Sequence, residues 1–190
     1  MYRPKKYLYL GAVATIVFMV FWTLSALCTP EWNIFMNFPS DLGAYRSGGH
    51  VLFNIGMMIF GFTLAFYSYS MFDASENFWF RLAFIQAIFV GISIACVGIF
   101  NEDFRYIHEF FSATTFTLSS MVFVYFGIYF VRTGRRNIGI LFFIGVAVIL
   151  LSGLLMTIEA WDNMVMLTLG FIFYLISASA GTFRFWEGEK

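Results

Sequence analysis

Six long apolar runs, separated by short segments that hold nearly all of the charge, leave this chain few folds to choose from. They fall at roughly 7–28, 49–72, 79–100, 108–131, 137–158 and 163–184, and crossing a bilayer's hydrocarbon core takes about 20 mostly apolar residues as a helix. No water reaches that core, so every backbone N–H and C=O must be satisfied within its own segment, and helix is the state each run has to take. The alternating ten-residue strands of a membrane barrel are absent. Composition agrees: 61% of the residues are hydrophobic and 12% charged, against about 45–50% and about 25% in a soluble domain. The expected fold class is all-α, a polytopic six-transmembrane-helix bundle forming a single domain over residues 1–190. The run that follows Met1-Tyr2-Arg3-Pro4-Lys5-Lys6 reads as a retained first span. It is longer than a signal core, and Thr29-Pro30-Glu31 is not a small-residue cleavage site.

Orientation follows from the basic residues. With the N-terminus inside, the cytoplasmic side carries Arg3, Lys5, Lys6, Arg81, Arg132, Arg135, Arg136, Arg184 and Lys190, while only Arg46 and Arg105 lie outside. Short loops with that asymmetry predict both termini in the cytoplasm of a multi-pass protein of the cell membrane. The acids gather on the other face, at Glu31, Asp41, Glu102, Asp103, Glu109, Glu159 and Asp162. The formal net charge of +0 gives nucleic acid no electrostatic foothold. Cys28 and Cys96 both lie near outer ends of their runs. A bridge there is conceivable, but helix-end cysteines more often pack as small apolar residues.

A faint repeat marks the outer face. Asp41 leads through Arg46 to His50, and Asp103 through Arg105 to His108, so each time an acid and an arginine precede a histidine that opens an inward-running helix. The third hairpin has Glu159 and Asp162 but neither Arg nor His. Helical spacing places His50, Asn54, Met57 and Gly61 on one face, and His108, Ser112, Thr115 and Ser119 on another. Both stripes are expected to face the bundle, where polar groups find partners and small residues let backbones approach.

Several chemistries fit these residues. His50 and His108 with a carboxylate from Asp41, Glu102, Asp103 or Glu109 offer the types of a three-ligand zinc shell. However, no two ligand types stand four apart on one helix as in His-Glu-x-x-His. Axial haem ligation is disfavoured because both histidines sit at helix ends on one side. Arg46 and Arg105 are expected to pair with neighbouring acids, or alternatively to clamp a phosphate. No Asp, Glu, Lys or Arg lies at the middle of a run, and Pro4, Pro30 and Pro39 all lie outside them. This argues against an ion-coupled carrier with buried charges and broken helices.

The stretch His50-Val51-Leu52-Phe53-Asn54-Ile55-Gly56 with Gly61 beyond it, and Gly98-Ile99-Phe100-Asn101-Glu102-Asp103 leading to His108, carry a family resemblance. The chain resembles the prokaryotic six-span membrane family catalogued as domain of unknown function 998. That family has a Phe-Asn pair in its second helix and a Gly-Phe-Pro-Glu/Asp turn before a histidine; here Asn101 stands in the place of the proline. The resemblance implies the six-span fold, brings no activity, and singles out Asn54, Glu102, Asp103 and His108.

The expected function is a non-enzymatic membrane protein that binds a lipid headgroup or small ligand in an outward-facing polar pocket, or serves in a membrane complex or homo-oligomer. The pocket residues would be His50, Asn54, Asp103, His108, Ser112, Arg46 and Arg105. The alternative is a zinc-dependent hydrolase or transferase acting on membrane lipids at the outer face, with His50, His108, Asp103 and Glu102 as the metal-binding set.

Overall fold

A computed structural model describes residues 7–157, Leu8 and Phe35 excepted. Five helices follow in order: α1 Leu10–Leu27, α2 His50–Ala74, α3 Phe78–Ile99, α4 Arg105–Arg132 and α5 Arg136–Thr157, with short 3-10 turns at Pro39–Gly43 and Glu102–Phe104. No strand occurs among the described residues. Four helices are long and apolar enough to cross a membrane, and α5 adds a shorter apolar stretch. The sixth expected run, 163–184, and the acids Glu159 and Asp162 lie outside the described residues. The fold is all-α, and the protein is a multi-pass membrane protein.

Each helix buries one side and leaves the other apolar and exposed. On α1 the exposed stripe is Val13, Ile16, Val20, Leu24 and Leu27; on α2 it is Val51, Ile55, Ile59, Phe62, Phe66 and Tyr69. Steps of three and four residues keep such a stripe on one face. In water these stripes would be a large penalty, whereas in hydrocarbon they are the wetted surface. The helices pack chiefly against their neighbours in sequence, α1 on α2, α2 on α3, α3 on α4 and α4 on α5.

The α2–α3 crossing is the closest. A Cβ at Gly91 would come within 2.6 Å of both Ala65 N and Gly61 O, and one at Gly98 within 2.6 Å of Asn54 O. These helices therefore meet backbone to backbone, which only small residues allow. Below that contact the core turns aromatic: Phe80 lies 4.8 Å from Phe84 and 5.1 Å from Phe126, ring centre to ring centre. The tilted and edge-on pairings suit the ring quadrupoles.

Local signals fix the short turns. Asn77 caps α3, its Oδ1 accepting from Trp79 N at 3.0 Å and Phe80 N at 3.3 Å. Gly134, with φ of +82°, closes α4. Its N–H donates to Val131 O and that of Arg135 to Phe130 O, a Schellman ending that reverses the chain into α5 within three residues.

Candidate functional site

The segment between α1 and α2 is folded rather than slack. Leu42 is fully buried, Trp32 Nε1 donates to Phe38 O at 2.9 Å, and Asp41 Oδ2 accepts from Phe38 N at 2.8 Å to start the 3-10 turn. Its end is locked onto the last turn of α1 by a buried network. Ser25 Oγ donates to Gly49 O at 2.8 Å, Thr29 Oγ1 and Ser47 Oγ share a hydrogen bond of 2.8 Å, and Gly49 N donates to Thr29 Oγ1 at 3.0 Å. Ser25, Thr29 and Ser47 are all buried. Any side chain at Gly48 or Gly49 would strike the carbonyls of Cys28 and Ser25. This anchor escapes sequence reading. Its only local signal is Ser47-Gly48-Gly49 just before a helix start.

That anchor positions His50. Ser47 O lies 2.7 Å from His50 Nδ1; a carbonyl can only accept, so Nδ1 carries a proton and Nε2 is the nitrogen left for another partner. The ring is half-buried, sits edge-on to Tyr45 at 5.9 Å, and has no partner for Nε2 among the described residues. Arg46 reaches Asp41 Oδ1 at 3.0 Å while 78% of its side chain stays exposed.

His108 is held differently. It is buried, Nδ1 lies 2.9 Å from Phe100 O, and Nε2 lies 3.1 Å from Glu102 Oε2. Nδ1 faces a carbonyl that can only accept, and Nε2 lies beside a carboxylate, an arrangement that suits an imidazolium against a carboxylate. Ser40 also lies against the Glu102 carboxyl. The turn carrying Glu102 is set by Asn101, which is buried and accepts from Asp103 N at 3.1 Å through Oδ1. Asn101 has φ of −64°, the angle a proline ring would impose. A side-chain cap thus does here what ring closure does at a proline.

One hydrogen bond ties the halves together: Tyr45 N donates to Asp103 Oδ2 at 2.7 Å across 58 residues. A second tie lies one turn deeper, where Asn54 Nδ2 donates to Gly43 O at 3.0 Å while its backbone packs on Gly98. Asn54 Oδ1 is buried with no hydrogen-bond partner among the described residues. Arg105, at positive φ of 24°, sits 3.9 Å from Glu109 with both side chains largely exposed. Both arginines at this end are thus in ion pairs. The two stripes face the bundle: Met57, Gly61, His108, Thr115 and Ser119 are buried, and Asn54 and Ser112 half-buried.

Cys28 and Cys96 are free thiols. Among the described residues no three His, Cys, Asp or Glu side chains gather closely enough to hold a metal ion. His108 turns Nδ1 to Phe100 O and sets Nε2 beside the Glu102 carboxylate. The proposed zinc set of His50, His108, Asp103 and Glu102 does not gather into one cluster among the described residues: Asp103 accepts from Tyr45 N, Glu102 lies against His108, and the two histidines turn Nδ1 to separate carbonyls.

No curated protein and no solved structure matches the chain. The family model described as "Protein of unknown function (DUF998)" matches residues 12–183. That span takes in both motifs, from His50 to Gly61 and from Gly98 to His108, and these meet in the structure where Asn54 packs on Gly98. The chain belongs to the DUF998 family.

Proposed function

We propose that this is a six-span protein of the cell membrane, both termini cytoplasmic, that binds the polar headgroup of a membrane lipid at its outward loop face. One observation carries the reading: His50 is oriented by Ser47 O through Nδ1, which leaves Nε2 open in the same loop end that carries the exposed Arg46. A ring held that firmly with one nitrogen unspent is pre-organised for a ligand, and pre-organisation lowers the cost of binding. Arg46 keeps donors beyond those turned to Asp41, and Asp103 keeps one carboxylate oxygen beyond that engaged by Tyr45. Anionic and cationic parts of a headgroup would each find a partner. The site lies at the ends of the apolar helices, the depth at which headgroups sit.

Two measurements test this. Native mass spectrometry of the protein released from nanodiscs of phosphatidylethanolamine and phosphatidylglycerol should show retained lipid. His50→Ala with Arg46→Ala should weaken retention at least tenfold, since a hydrogen bond to a charged group is worth about 1.5–3 kcal/mol. Unchanged retention in a variant with wild-type helicity overturns the reading. Orientation is tested through Cys28, which is exposed at the loop end. A membrane-impermeant maleimide should label it from outside intact cells. Labelling only after permeabilisation would invert the topology.

A further inference from the structure

The opposite end of the helices, with the α2–α3 and α4–α5 turns, is basic and aromatic. The Arg81 guanidinium lies over the Phe72 ring at 4.4 Å, and that of Arg132 over the Trp79 ring at 5.1 Å. Trp79 in turn lies against Tyr125, with centroids 6.3 Å apart. Arg81, Arg132 and Arg136 are exposed, and none of them forms an ion pair with a carboxylate among the described residues, although Asp73 and Glu76 lie at the same end.

From this we infer a docking surface for anionic phospholipid headgroups, with Arg81 and Arg132 as its phosphate-binding groups. A guanidinium stacked on a ring has its face satisfied and its rotamer narrowed, while its in-plane N–H donors still point outward. Those edges match two oxygens of a phosphate in a bidentate fork. Depth fits as well. Both arginines stand in terminal turns of apolar helices, and Trp and Tyr beside them are the residues whose amphipathic rings favour the headgroup layer. Charge decides the class of occupant. A headgroup with net negative charge relieves the uncompensated arginines, whereas a zwitterionic one brings its own cation to the same place. This surface is separate from the His50 face and stands whether or not that face binds lipid.

The test uses the full chain in nanodiscs of phosphatidylcholine containing increasing phosphatidylglycerol, read by thermal melting and by lipid retention in native mass spectrometry. Phosphatidylglycerol should raise the melting temperature and be retained in preference to phosphatidylcholine, with a preference that fades in high salt. Arg81→Gln with Arg132→Gln should raise the half-saturating phosphatidylglycerol fraction about tenfold or more, because each arginine at an anionic surface adds substantially to attraction. Arg81→Lys with Arg132→Lys keeps the charge but loses the stacked fork, and should fall between wild type and the glutamine pair. The inference is overturned if wild type shows no preference, if the preference resists high salt, or if the glutamine pair folds and keeps it.

Discussion

Gly61→Ala should cost about 3 kcal/mol or more, the upper part of the overpacking range, and lower the melting temperature of the detergent-solubilised protein by roughly 6–12 °C. The reason is what the new methyl group meets. A Cβ at Gly61 would lie 2.5 Å from Gly91 O, with the backbone of Ala95 closer still. Both are main-chain atoms of α3, so no side chain can swing aside and the helices must separate along the whole crossing. The same change at Gly11 is the control, because its Cβ would meet only the Tyr67 ring, at 3.2 Å, and a ring edge can shift. Thermal melts of the two variants, followed by size-exclusion fluorescence, should separate them clearly. Equal and small losses would mean that α2 and α3 do not pack through their backbones. The effect should also reach the site, since Gly98 and Asn54 lie on the same crossing and its loosening would free the loop that Asn54 holds through Gly43.

Which parts of this arrangement can be read from the chain depends on the range of the forces involved. Helices are legible because lipid admits little else, and five expected runs coincide with α1 to α5 within a few residues. The differences are at ends: α4 starts at Arg105 rather than His108, since the turn at Glu102–Phe104 delivers the chain directly into it. The inward direction of the His108, Thr115 and Ser119 stripe is legible for the same reason, as polar groups on a membrane helix seek the bundle. Pairing across long separations is not. Several hydroxyls on these helices bond the carbonyl four residues back, as Thr15, Thr23, Ser70, Thr114 and Ser120 do. Nothing local distinguishes Ser25, which instead reaches Gly49 across 24 residues. The acid–arginine–histidine repeat predicts matched roles for His50 and His108, and here the sequence misleads. Both present Nδ1 to a backbone carbonyl, but only His108 has a carboxylate on its other nitrogen. That difference comes from Asn101 turning the chain so that Glu102 points back at α4.

His108→Leu should therefore be the costliest change among the polar residues of the loop end, by about 3 kcal/mol. It removes a buried ring that donates to a carbonyl and pairs with a carboxylate, and breaking one side of such a pair leaves the other uncompensated. Only 6% of the His108 side chain is exposed, but 34% of Glu102 is, so solvent screens part of the pair and keeps the figure at the low end of the range for buried ion pairs. Glu102→Gln should cost less, about 1 kcal/mol, because the amide still occupies the position and the imidazole can shed its second proton. A double-mutant cycle makes the coupling visible. With Leu at position 108, Glu102→Gln should cost nothing and even recover stability by removing a stranded carboxylate. Additive losses in chemical or thermal unfolding would show that the two side chains do not act as a pair. His50→Leu supplies the contrast, since that ring gives up only its bond to Ser47 O and should lose about 1 kcal/mol while carrying the loss of lipid retention. If both leucine variants lose the same stability and the same retention, the histidines are not divided into a strut and a ligand, and the open Nε2 of His50 has no special standing.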